Sequence, residues 1–119
     1  MLRKYKVPKE SIEQQALIKW LKIKRIKFYA IPNGAYTKNI LSAIHLKKTG
    51  LSNGVPDICI PIPFNGKHGL YIEMKRQKGS KTTPEQKEWL DFLNSVGYLA
   101  ATCFGWLDAV KVIEHYFME

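Results

Sequence analysis

Hydrophobic and polar residues follow two different periods along this chain, and the switches between them mark out its elements. From Glu10 to Lys24, Gln14, Leu17 and Leu21 recur at helical spacing with Ile18 and Trp20 beside them, while Lys19, Lys22 and Lys24 fall largely outside that stripe. This pattern predicts an amphipathic helix. Ile26 to Ile31 reads as a strand that Pro32-Asn33-Gly34 stops, because proline removes a ladder donor and Asn-Gly turns readily. Ile40, Leu41, Ile44 and Leu46 have mixed spacing ahead of Thr49-Gly50, which suggests a short helix over 40–48 closed by glycine. Ile58, Ile60 and Ile62 then alternate with Asp57, Cys59 and Pro61, and Leu70, Ile72 and Met74 alternate with Tyr71, Glu73 and Lys75. With Asn65-Gly66-Lys67 between the two runs, a β-hairpin over 55–75 with half-buried strands is the economical reading.

Past the hairpin, Arg76-Gln77-Lys78-Gly79-Ser80-Lys81 is too basic and glycine-serine-rich to pack, and is expected as a loop. Thr83-Pro84-Glu85-Gln86 combines an N-cap hydroxyl, a proline at the first helical position and a glutamine three residues after the cap, which announces a helix with a capping box. Its expected buried stripe is Trp89, Leu93 and Val96, and Gly97 closes it. Tyr98 to Phe104 has strand length, and 106–117 reads as a last helix buried through Leu107, Val110, Ile113 and Phe117. The order helix, strand, short helix, strand, strand, helix, strand, helix predicts one α/β domain over 1–119, a mixed four-stranded sheet flanked by helices. Residues 1–9, basic and containing Pro8, are expected as a flexible arm.

The hairpin also carries chemistry. Glu73 and Lys75 share a strand face, and a turn centred near Asn65 or Gly66 places Asp57 across from Glu73 or Lys75. Two carboxylates that close repel each other unless a cation joins them, so the pair is a natural seat for Mg²⁺ or Mn²⁺, with the lysine beside it for a phosphate or an attacking water. On the residues alone a second reading stands, a solvated hairpin edge whose charges limit edge-to-edge pairing.

Charge narrows the choice of partner. The 119 residues carry 19 Lys plus Arg against 10 Asp plus Glu, a net +9, which favours a polyanion and nucleic acid first among them. An anionic membrane is disfavoured, because the basic residues are spread from Arg3 to Lys111 and no apolar run approaches the roughly 18 to 20 residues needed to span. No signal peptide is visible, so a cytoplasmic location is expected. Cys59 and Cys103 lie in apolar runs without paired C-x-x-C spacing and are expected to be buried and reduced. His45, His68 and His115 are scattered singly and form no ligand cluster in the sequence.

Six ordered landmarks, Glu10-x-x-Glu13-Gln14, Ile31-Pro32-Asn33-Gly34, Gly54-Val55-Pro56-Asp57, Tyr71-Ile72-Glu73-Met74-Lys75, Thr83-Pro84-Glu85-Gln86 and Gly97-Tyr98, together resemble the VRR-NUC family of the PD-(D/E)-x-K nuclease superfamily. The resemblance covers nearly the whole chain and implies a restriction-endonuclease-like core. The size is similar to the minimal stand-alone form of phages and bacteria. What the resemblance implies is a Mg²⁺- or Mn²⁺-dependent endonuclease or exonuclease acting on branched or flapped DNA, with the stand-alone forms similar to homodimeric Holliday junction resolvases; a structure-specific endonuclease on branched DNA, with no nucleotide cofactor, is the expectation taken forward. A restriction-type or flap/duplex nuclease on the same fold, or a non-catalytic branched-DNA-binding module, are the competing expectations.

Carried over by position, Asp57 and Glu73 would be metal ligands, the carbonyl of Met74 another, and Lys75 the catalytic lysine. Glu10 is chosen to complete the metal shell because it shares a helix face with Gln14, with Glu13 as the alternative. First-turn charge favourable to the helix dipole would explain either residue as well. Gln86 could orient a water or a phosphate, although its place in the capping box would also account for it. Asn33, Gly34, Lys38, Arg76, Lys78 and Lys81 are expected to touch the DNA backbone. The apolar residues of 40–51 exceed one buried stripe and are the expected dimer interface.

Overall fold

The structure, a computed structural model, describes residues 4–32 and 39–119. The elements run α1 (Glu10–Ile23), β1 (Tyr29–Ala30), α2 (Ile40–Lys48), β2 (Ile58–Ile60), β3 (Leu70–Lys75), α3 (Pro84–Ser95), β4 (Leu99–Phe104) and α4 (Trp106–Tyr116). The four strands form one mixed sheet in the order β1-β2-β3-β4, with β1/β2 and β2/β3 antiparallel and β3/β4 parallel. The α/β class and element order expected from the sequence are those observed.

Local signals explain most of the element ends. Phe64 and Lys67 exchange both backbone hydrogen bonds around Asn65 (φ 47°) and Gly66 (φ 83°), so both central residues of the hairpin turn are left-handed, as a type I′ turn requires. At α3 the Thr83 hydroxyl accepts from Gln86 N at 3.2 Å and the Gln86 side chain accepts from Thr83 N at 2.9 Å, which completes the capping box. β2 ends at Ile60 because Pro61 has no N–H for the ladder.

Several expectations change once the elements pack. The strand expected over 26–31 shrinks to Tyr29–Ala30. Arg25 (φ 58°) and Ile26 are drawn into the end of α1, where Ile26 N donates to Leu21 O and Arg25 N to Lys22 O, a Schellman closure. In α3 Leu93 is buried, but Val96 is 42% exposed because it is the C-cap and has left helical geometry. In α4 the buried stripe is Ala109, Ile113 and Tyr116, and Leu107 is exposed. That helix offers apolar side chains on more than one face, so its phase is set by neighbours, including Phe104 N donating to Asp108. β3 is not half-buried, since Glu73 and Lys75 are as sequestered as the residues of its apolar face.

The main core unites Leu17 and Leu21 of α1, Ile58 and Ile60 of β2, Leu70, Ile72 and Met74 of β3, Cys103 of β4, and Ala109, Ile113 and Tyr116 of α4. Both cysteines are free and buried, as expected, and burial pushes the Cys103 thiol up to about 12. α2 buries none of its residues. Among the described residues no helix is long and apolar enough to cross a membrane. Residues 4–9 touch the rest of the chain: the Tyr5 hydroxyl donates to Gln77 Oε1, and Arg76 Nη2 donates to the Val7 carbonyl.

Candidate metal centre and active site

The ladder between β2 and β3 explains why acidic groups meet. Ile58 pairs with Ile72, so the next position outward sets Asp57 opposite Glu73. The Asp57 carbonyl is turned to the β1 side, where it accepts from Ile31 N at 2.8 Å. Asp57 and Glu73 are thus a non-hydrogen-bonded pair, the kind that brings facing side chains closest together. One position further, Pro56 stands opposite Met74 and has no N–H to donate. The ladder stops there. Met74 N–H donates instead to Asp57 Oδ2 at 2.7 Å, which fixes that carboxylate. The Met74 carbonyl lies on the same strand edge as its N–H and faces the proline, so no strand donor stands opposite it.

Glu10 enters from the first residue of α1, one turn before Glu13 on the stripe that continues to Leu17 and Leu21. One carboxylate oxygen from each of Glu10, Asp57 and Glu73 lies within 4.8 Å of the others. Lys75, on the Glu73 face of β3, is also buried. Burial first, then a hydrogen bond with Asp57 and its charge, push the Glu73 carboxyl up to about 9, while Lys75 pulls the other way. Burial first and the Asp57 charge second also raise the Glu10 carboxyl, again opposed by Lys75. One lysine does not balance two buried carboxylates and a half-buried third, so either protons or a cation must. A cluster of hard oxygen donors this tight suits Mg²⁺ or Mn²⁺ better than a softer metal.

Glu13 is not part of that cluster. Its carboxylate, 2% exposed, accepts from Gln77 Nε2 at 2.9 Å and from Trp106 N at 3.1 Å, which ties α1 to the loop after β3 and to the first turn of α4. A negative charge at a helix N-terminus is favourable there. The sequence carried one hint of this, the position of Glu13 in the buried Leu17–Leu21 stripe. The role of Pro56 as the end of the ladder was not anticipated.

The remaining expected residues are spread around this centre. Gln86 sits at the start of α3 with its amide oxygen committed to the capping box, leaving its Nε2 amine free of that bond. The same first turn lies against Gly54, where a Cβ would come within 2.5 Å of the Glu85 carbonyl carbon, so the loop leading into Asp57 needs glycine on steric grounds as well as for its φ of 87°. Arg76 is half-buried and partly engaged by Val7, whereas Lys78 and Lys81 are exposed on the loop after β3. Asn33, Gly34 and Lys38 lie outside the described residues.

Comparison with known proteins identifies the family and the fold. The profile of one family, described as the VRR-NUC domain, matches residues 8–106. A solved structure described as a VRR_NUC domain protein superposes with a TM-score of 0.80 at 30% sequence identity, covering 93% of this chain and 89% of that one. No curated protein matches the sequence at a significant level. The matched stretch takes in the strands, helices and carboxylates described above, among them Pro56-Asp57 and Glu73-Met74-Lys75. The chain belongs to the VRR-NUC family of the PD-(D/E)-x-K nuclease superfamily and has its nuclease-type fold.

Proposed function

We propose that this protein is a divalent-metal-dependent, structure-specific DNA endonuclease that hydrolyses phosphodiester bonds of branched DNA such as four-way junctions, acting in the cytoplasm. The observation that carries the reading is the meeting of Glu10, Asp57 and Glu73 beside buried Lys75. Glu10, Asp57 and Glu73, with the Met74 carbonyl, would hold a Mg²⁺ or Mn²⁺ ion. When bound, such an ion supplies Lewis acidity toward water and phosphate. The chain's own groups do the positioning. The Met74 N–H holds the Asp57 carboxylate in place, and the Lys75 ammonium orients the attacking water or offsets charge that develops on the phosphate. Gln86 contributes through its amide nitrogen. Lys78 and Lys81, with Arg76, Asn33, Gly34 and Lys38, guide the DNA backbone, in keeping with the net charge of +9.

Two such centres held in a homodimer would suit the paired strands of a junction. The exposed apolar residues of α2, Ile40 at 76% and Leu41 at 72%, support that assembly. The test is cleavage of labelled junction, flap, single-stranded and duplex DNA with and without Mg²⁺ or Mn²⁺, using Asp57→Ala as control, alongside sedimentation of the protein. Metal-dependent cutting of junctions by a dimer, lost in Asp57→Ala, is expected. Binding without cutting in any metal would make the protein a branched-DNA-binding module. A monomer that cuts duplex and junction equally would be a restriction-type enzyme.

A further inference from the structure

Beside the carboxylates, the same sheet face carries a row of aromatic rings. Tyr29 of β1 pairs with Cys59 of β2, and Cys59 with Tyr71 of β3, so the three side chains form one row across the sheet. Asp57 and Glu73 form the adjacent row, two residues further along each strand, or roughly 6.7 Å away. The row continues past Tyr71, since the Tyr98 ring packs edge-on against Tyr71 at 5.2 Å and 77°, and the His68 ring against Tyr98 at 5.4 Å and 72°. Cys59 beneath is 2% exposed, but Tyr29 on the edge strand is 49% exposed and His68 is open to solvent. The row therefore presents partly exposed aromatic rings beside a charged centre.

Rings at this location have a specific use. A nucleic acid strand whose phosphate rested at the carboxylate row would have the aromatic row within reach of a neighbouring base. Bases inside a duplex are stacked on each other, whereas an unpaired base can stack on an aromatic side chain. The phenols, with an ordinary pKa of about 10, carry no charge near neutral pH that would repel the strand.

We propose that Tyr29, Tyr71, Tyr98 and His68 form a shelf that takes one unstacked nucleobase next to the scissile phosphate. The shelf selects nucleic acid that offers an unpaired nucleotide at the cut, as a branch point does. The proposal rests on the reading of the carboxylate centre as a DNA-cleaving site. Its test uses the full chain in EDTA, where no cleavage occurs, and measures anisotropy with a labelled single-stranded oligonucleotide and with an abasic strand of the same length. The abasic strand keeps the phosphates and lacks the bases. Wild-type protein should prefer the normal strand. Tyr29→Ala should weaken that binding about tenfold and leave the abasic strand unchanged, as expected for one lost stacking contact. Tyr29→Phe should bind like wild type. Tyr29→Leu, which keeps an apolar cover over Cys59 without a π face, should bind like Tyr29→Ala while melting like wild type. Equal loss on both strands, no loss on either, or equal wild-type affinity for the two strands would overturn the shelf and leave the nuclease reading intact. Wild-type binding to neither strand would overturn the shelf, whereas the nuclease reading stands or falls on metal-dependent cleavage of junction and duplex DNA.

Discussion

Glu10 and Glu13 sit one turn apart on the same helix, and Glu13→Ala tests whether their tasks differ as the structure says. The substitution removes the acceptor of Trp106 N–H, which is half-buried at the start of α4, and of Gln77, which is exposed and can turn to water. An unsatisfied buried donor costs about 1–3 kcal/mol. Losing a partly buried negative charge at a helix N-terminus adds up to about 2 kcal/mol. A total near 3 kcal/mol is a large fraction of a typical domain's stability and should lower the melting temperature by roughly 10 °C. Glu13→Gln, which keeps one acceptor oxygen, should lose less. Glu10→Ala should behave in the opposite way, melting in EDTA no lower than wild type because it relieves carboxylate repulsion. Both variants are to be melted in EDTA and again in excess Mg²⁺ or Mn²⁺. At a hundredfold excess over Kd a ligand stabilises by about 2.7 kcal/mol, and that increment should survive in Glu13→Ala and vanish in Glu10→Ala. If Glu13→Ala melts like wild type in EDTA but loses the metal increment, the assignment of the two residues is reversed.

The protonated Glu73 predicts a pH signature for the metal-free protein. Its folded value of about 9 exceeds the ordinary 4.5, so the folded chain holds a proton that the unfolded chain has released, and stability should fall as pH rises through that window. Melting in EDTA across that range should show the slope in wild type and a flatter profile in Glu73→Gln; parallel profiles would show that the Glu73 carboxyl is not raised in the folded chain. Lys75→Ala should keep metal affinity by calorimetry and lose turnover by roughly a hundredfold or more, and lost affinity with normal turnover at saturating metal would contradict its role. Gly54→Ala should destabilise by about 2 kcal/mol or more in denaturant titrations, since it combines a left-handed φ with a backbone clash at α3. DNA affinity should fall with salt at a log-log slope of about 0.9 per duplex phosphate contact, and a flat response would remove the electrostatic basis of binding.

Features legible in the sequence are those whose partners lie close along the chain. Asn65-Gly66 turns the hairpin, Thr83 and Gln86 cap α3 within one turn, and the alternation on both sides of the turn narrows the partner of Asp57 to Glu73 or Lys75 before the ladder selects Glu73. These signals sufficed for the order of elements and for the strand pair that holds the carboxylates. Tertiary structure decided matters that depend on distant partners. The phase of α4 follows from Glu13, 93 residues from Trp106, and from Asp108 reaching back to β4, so the exposed Leu107 could not be distinguished from a core residue in advance. The end of α1 claimed Ile26, which the pattern assigned to a strand, because the Schellman bonds formed where the ladder would have begun. The burial of Glu73 and Lys75, and the joining of Glu10 to them while Glu13 braces two helices, required the sheet and α1 to be in place. Periodicity specifies which faces of an element are apolar, and only packing determines which of those faces meets another.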